Sequence, residues 1–189
     1  MAESTTAERV GRSAVPLESG AWWRVEPPRA RYSLRVDLAS AAGRAIDRLP
    51  LATTPCRACE RGEWAALWLG PDEQLLIGPE NGAAAIAAAA AEALRGLDHA
   101  LVDIGHRQGA IELTGPYAAP LINSACPLDL REAAAPVGFC SRTVFGKAEV
   151  VLWRRAEERW QLQAWRSFMP YVSALLAIAA RERTGTAVV

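Results

Sequence analysis

The chain of 189 residues has only 2 His, 2 Met, 3 Tyr and 3 Phe, and no excess of either charge. Two histidines cannot supply a three-histidine metal site. Lys plus Arg and Asp plus Glu each number 21. The zero formal charge therefore gives no overall field to attract nucleic acid or an anionic membrane. Phosphate-cradling GxxxxGK[ST], a GxGxxG turn after a strand and a GxSxG nucleophile elbow are all missing. The longest apolar run, 83–91, is closed by Glu92. At about 1.5 Å per residue it cannot span a bilayer core of about 30 Å. The opening MAESTTAERVGRSAV has no apolar h-region. A cytoplasmic protein with reduced thiols is therefore expected.

What the chain does hold is tryptophan, 7 of them, and much alanine. Its 51% hydrophobic and 22% charged residues are ordinary for a globular protein. At about 150 residues per domain, the length means one domain or two small interleaved halves. Tryptophan is enriched at interfaces as well as in cores, so the excess fits contact surface or core equally.

Residues 1–30 read as a polar arm with Pro16, Pro27 and Pro28, in which Trp22 and Trp23 either fold back on the core or hook a partner. A single α+β domain is expected over 31–183, or two interleaved halves, with a tail at 184–189. Tyr32, Leu34, Val36 and Leu38 alternate with polar residues, the period of a half-buried strand. An alanine-rich helix follows to Leu49, before Pro50. Segments 64–69 and 74–77 flank the turn Gly70-Pro71-Asp72-Glu73 and read as a hairpin. A helix over 83–97 precedes strands at 99–104 and 110–114, and Pro116 opens a helix to Ser124. Three strands, 142–145, 150–153 and 160–165, lead to a last helix capped by Ser167 and running to Arg183. The order implies α+β, with helices packed on one face of one or two antiparallel sheets.

Two stretches carry candidate chemistry. Cys56-Arg57-Ala58-Cys59 has CxxC spacing, but Cys126 and Cys140 form no second pair for a zinc site. Its surroundings read as a loop rather than a strand-to-helix junction. Asp103-Ile104-Gly105-His106-Arg107 places a carboxylate, an imidazole and a guanidinium close together. Asp103 reads either as an acid–base group or as a buried carboxylate held by amides or an arginine. Spacing alone builds no active site.

Six blocks in register carry a resemblance. Residues 66–73, ALWLGPDE, resemble the ALWLGPDEW segment of the gamma subunit of heterotetrameric sarcosine oxidase, with Gln74 in place of the usual tryptophan. LVDIGHRQ at 101–108 resembles that family's LVDVSHRQ, and CPLDL at 126–130 its CPLDL. VGFCSRT at 137–143, KAEVVLWR at 147–154 and WRSF at 165–168 are similar to VGxCxRT, KAxxVLWR and WRSF. The likeness runs from about Tyr32 to Arg183.

The resemblance implies a reduced folate-binding aminomethyltransferase-like fold and a non-catalytic subunit. Its partners would be alpha, beta and delta chains. FAD, FMN, NAD and tetrahydrofolate would lie on those partners, with no cofactor on this chain. The complex would oxidatively demethylate sarcosine to glycine and pass the one-carbon unit to folate. Two alternatives are a gamma-type subunit of a related N-methyl amino acid dehydrogenase complex and a free-standing folate-dependent aminomethyltransferase using Asp103. On the subunit reading, catalytic, cofactor and metal residues are absent. The expected contact residues are Trp68, Asp72 and Glu73 at the hairpin and Trp165 and Arg166 before the last helix, each tryptophan being equally suited to the chain's own core.

Overall fold

The computed structural model describes residues 15–16, 22–45 and 49–184. Most of the expected arm, residues 46–48 of the first expected helix and nearly all of the tail lie outside these described residues. In chain order the strands are β1 (Val15–Pro16), β2 (Trp22–Val25), β3 (Ala30–Val36), β4 (Ala58–Arg61), β5 (Trp64–Gly70), β6 (Glu73–Gly78), β7 (His99–Asp103), β8 (Gln108–Thr114), β9 (Cys140–Phe145), β10 (Ala148–Ala156) and β11 (Arg159–Trp165). The helices are α1 (Leu38–Ala45), α2 (Ala83–Ala93), α3 (Ala118–Asn123) and α4 (Met169–Thr184). A six-stranded sheet runs β1-β2-β8-β11-β10-β9 and a five-stranded sheet β4-β5-β6-β3-β7. Helices and antiparallel sheets together make the α+β class expected. No helix among the described residues is long and apolar enough to cross a membrane.

The chain divides into two units, one of 1–27, 109–137 and 143–189, the other of 28–108 and 138–142. In the second unit the alternation of β3 is decisive. Ala30, Tyr32, Leu34 and Val36 face a core shared with Ala41 of α1, Ile86 and Ala90 of α2, Leu94 that caps α2, and Ala66 and Leu76 of the sheet. The Tyr32 hydroxyl leaves that core by donating to the Ala83 carbonyl at 3.1 Å. Gln74, fully buried, forms a two-bond amide pair with the backbone of Ala52, donating and accepting at 2.9 Å. Both of its polar ends are thereby satisfied, which a buried amide requires. The Trp64 indole lies on bare backbone: a Cβ at Gly78 would sit 1.9 Å from its ring. The stretch read as a loop after Pro55 instead forms β4, an edge strand paired with β5 through a turn in which Gly62 holds φ +58°. Four residues with two charges carry too little alternation to announce it.

In the first unit, β10 and β11 form a hairpin whose Val150↔Ala164 and Leu152↔Leu162 pairs share one face. Met169, Val172, Leu176 and Ala179 form the buried stripe of α4, at helical spacing. Gly109 of β8 gives α4 its seat, since a Cβ there would stand 3.1 Å from the Met169 sulfur. Trp160 is 1% exposed, and the Arg154 guanidinium lies 5.2 Å from its ring centroid. Strands β1 and β2 fall inside the stretch read as an arm. Trp23 of β2 pairs with Leu113 of β8 and is buried.

The charge at the centre of this sheet is Glu112 of β8, 1% exposed. Arg24 of β2, its direct cross-strand partner, approaches one carboxylate oxygen at 2.9 Å. Arg159 of β11 donates to the other oxygen from Nε at 2.6 Å and from its NH2 group at 2.5 Å, and Arg155 of β10 stands 3.9 Å away. One carboxylate thus ties four strands. A buried carboxylate is tolerated only when paired and hydrogen-bonded in this way. Replacing Glu112 by Gln keeps the volume and removes the charge that gathers the arginines. We expect E112Q to lose about 3 kcal/mol or more of unfolding free energy. A urea midpoint equal to that of the parent chain would contradict the assignment.

Candidate functional site

At the hairpin turn between β5 and β6 the three predicted contact residues divide. Trp68 is half-buried and packs on the helix-facing core of its own unit, opposite Gln74. Asp72 is exposed, and its carboxylate accepts from Arg35 at 3.1 Å. Glu73 is only 13% exposed in its side chain and is gripped from two sides. Arg35 reaches Oε2 at 2.9 Å, while Arg142 donates to Oε1 at 2.7 Å and to Oε2 at 3.3 Å. Two carboxylates and two guanidiniums thus neutralise one another. The turn is a charge clamp between β3, β6 and β9, and of the three residues Asp72 is left to face solvent.

The second predicted group sits in the first unit. Trp165, the last residue of β11, is 47% exposed, and Arg166 beside it is exposed too. Of the tryptophans whose burial is described, Trp23, Trp153 and Trp160 are buried, Trp64 and Trp68 half-buried, and Trp165 is the exposed one. The chain then makes a single 3₁₀ turn, Arg166–Phe168, and enters α4. Phe168, Tyr171 and Ile178 are exposed. Tyr171 and Ile178, seven apart, lie on one side of α4 away from its buried stripe, and Phe168 precedes them in the 3₁₀ turn. The Tyr171 hydroxyl is fixed, accepting from the Lys147 backbone N–H at 3.0 Å. Phe168, Tyr171 and Ile178 were not among the expected contact residues. Their signal was present in the width of the apolar stripe, which exceeds what one buried face needs.

The two stretches read for chemistry are placed otherwise. Asp103 ends β7, whose residues are mostly exposed, so it is no buried carboxylate. Its Oδ1 accepts from the Gly105 backbone N–H at 2.8 Å, an Asx turn that starts the 3₁₀ turn Gly105–Arg107. Among the described residues no group of three or more His, Cys, Asp or Glu could hold a metal ion. The CxxC cysteines are half-buried, and Cys140 is buried with its thiol 3.5 Å from the Trp68 carbonyl.

The residue pattern of the sarcosine oxidase gamma subunit family matches residues 35–182. The chain belongs to that family. Over 118 residues it is 35% identical to the sarcosine oxidase subunit gamma of Corynebacterium sp. (strain P-1), a match spanning 62% of this chain and 57% of that relative. Among solved structures it is similar to a chain of the heterotetrameric sarcosine oxidase from Corynebacterium sp. U-96 in complex with pyrrole 2-carboxylate. That likeness has a TM-score of 0.79 and 26% identity over 97% of this chain and 94% of the other. Aminomethyltransferase T of the glycine cleavage system from Bartonella henselae shares the fold, with a TM-score of 0.58 and 14% identity over 81% of this chain and 46% of that one. The aminomethyltransferase-like fold expected of this gamma-family chain is therefore present. At Gln74, where the chain departs from the family's usual tryptophan, the side chain serves the internal amide pair with Ala52.

Burial pushes the Cys140 thiol up to about 12 from the ordinary 9.0, and nearby Cys56 adds to the shift. Between those values the unfolded chain releases a proton that the folded chain keeps. The stability this burial supplies is therefore whole below pH 9.0 and is lost toward pH 12. We expect unfolding free energy to fall across that window and Cys140→Ala to flatten the fall. Parallel pH profiles in urea titrations of parent and variant would contradict the thiol's burial.

Proposed function

We propose that this chain is the non-catalytic gamma-type subunit of a cytoplasmic, multi-subunit flavoprotein sarcosine oxidase. Alpha, beta and delta partners hold FAD, FMN, NAD and tetrahydrofolate, oxidatively demethylate sarcosine to glycine and deliver the one-carbon unit to folate. This chain contributes a surface. Family membership and the likeness to the Corynebacterium heterotetramer support the reading. The observation that carries it is the exposed aromatic edge of Trp165, Phe168 and Tyr171 at the start of α4, continued by Ile178. Aromatic side chains with an arginine beside them are the composition of interface hot spots. These aromatics stay exposed although α4 already buries one apolar stripe. Trp165 and Arg166 are the contact pair on this reading; in the other unit, Asp72 is the exposed residue of the hairpin, which Trp68 and Glu73 support from within.

The test is capture of the tagged chain from its native host. We expect large flavin-bearing chains to come with it and the captured assembly to oxidise sarcosine. A Trp165→Ser, Phe168→Ser variant should keep its urea midpoint and weaken capture about 30-fold, the loss expected for a hot spot of about 2 kcal/mol. Capture of no flavin-bearing chain, or equal capture by the variant, would overturn the proposal.

A further inference from the structure

Cys56 does not share its place with Cys59, its neighbour in the CxxC spacing. Cys59 lies in β4 and pairs with Ala66 of β5. Cys56 instead lies against Cys140. Arg57 bridges Phe139 in antiparallel fashion. On either side of that bridge, the Cys140 N–H donates to the Cys56 carbonyl at 3.0 Å and the Ala58 N–H to the Gly138 carbonyl at 2.8 Å. Cys56 and Cys140 therefore flank the bridge on the same side, joined by one backbone hydrogen bond. Chains brought to ladder spacing hold facing Cα atoms about 4.5–5.5 Å apart, and a disulfide spans about 4.4–6.8 Å.

A second observation marks the position. Cys56 has φ +56° and is the one non-glycine with positive φ among the described residues. That conformation is unfavourable for an ordinary side chain, and glycine would adopt it freely. A cysteine is thus held where the backbone favours its absence. Accessibility divides the pair: Cys56 is half-buried and Cys140 buried. Cys126, the remaining buried thiol, belongs to the other unit and stands 3.9 Å from the Thr143 hydroxyl.

We infer that Cys56 and Cys140 form a reversible disulfide under a hydroperoxide oxidant, making this pair, and not the CxxC, the redox-modified site of the chain. The Cys56 thiolate attacks the peroxide and breaks its O–O bond, giving a sulfenic acid and hydroxide, which takes up a proton to become water. The Cys140 sulfur then attacks the Cys56 sulfur. Its thiol proton leaves with the displaced hydroxyl as a second water. Two thiols and one hydrogen peroxide thus yield one disulfide and two waters. A small dithiol reverses the bond by exchange. Oxidation removes the S–H that faces the Trp68 carbonyl and ties the turn before β4 to β9. The inference stands independently of the subunit reading.

Trypsin tests it without ambiguity. Cleavage after Arg48, Arg57, Arg61, Arg107, Arg131 and Arg142 puts each cysteine on its own peptide, 49–57, 58–61, 108–131 and 132–142. The full-length reduced chain is treated with hydrogen peroxide, blocked with N-ethylmaleimide and digested. We expect peptides 49–57 and 132–142 to be joined and to separate on reduction. The link should persist in Cys59→Ser and vanish in Cys56→Gly, a substitution suited to the positive φ. A 49–57 to 58–61 link would overturn the inference. So would loss of the link in Cys59→Ser, or over-oxidised Cys56 beside a Cys140 that N-ethylmaleimide still labels after denaturation.

Discussion

The carboxylate of Glu112 is the constraint on which the six-stranded sheet depends. Arginines from β2, β10 and β11 converge on it. A lone carboxylate at 1% exposure would be too costly to keep ionised, and arginines gathered without it would repel one another. The pairing therefore specifies which strands lie side by side. The other unit repeats the logic at smaller scale. Glu73 collects Arg35 and Arg142, and Gln74 beside it completes the backbone of Ala52.

This use of polar side chains bears on function. Glu112, Glu73 and their arginines, together with Gln74, hold strands and backbone in register. The aromatic edge that starts at Trp165 and continues along α4 faces water. A helix with one stripe buried and another exposed stabilises its own unit with the first and has the second left for a partner.

Much of the fold was legible because its strands alternate strongly. Tyr32, Leu34 and Val36 announced β3, and the turn at Pro71-Asp72 announced the β5–β6 hairpin. Strands β2 and β4 were not legible. Each is short, with charged residues; β2 is held by pairing to β8, distant in sequence, and the four residues of β4 alternate too little to stand out before β5. Glu112 passed unnoticed for the same reason: a charge inside AIELT reads as solvent-facing until Arg24 and Arg159 are brought to it. Trp68 and Trp165 look alike in sequence. Only packing separates the one resting on its own core from the one facing water. Asp103 drew attention by its neighbours, yet its carboxylate accepts from the Gly105 backbone amide and shapes a turn.

The central claim is that this chain gives an assembly shape and holds none of its cofactors. Thermal melting of the purified chain with FAD, FMN, NAD or tetrahydrofolate at saturating concentration tests it directly. A ligand at about 100 times its Kd would add about 2.7 kcal/mol to the folded state, several degrees in Tm. The account predicts an unchanged Tm with all four. A rise that grows with the concentration of any one of them would contradict it.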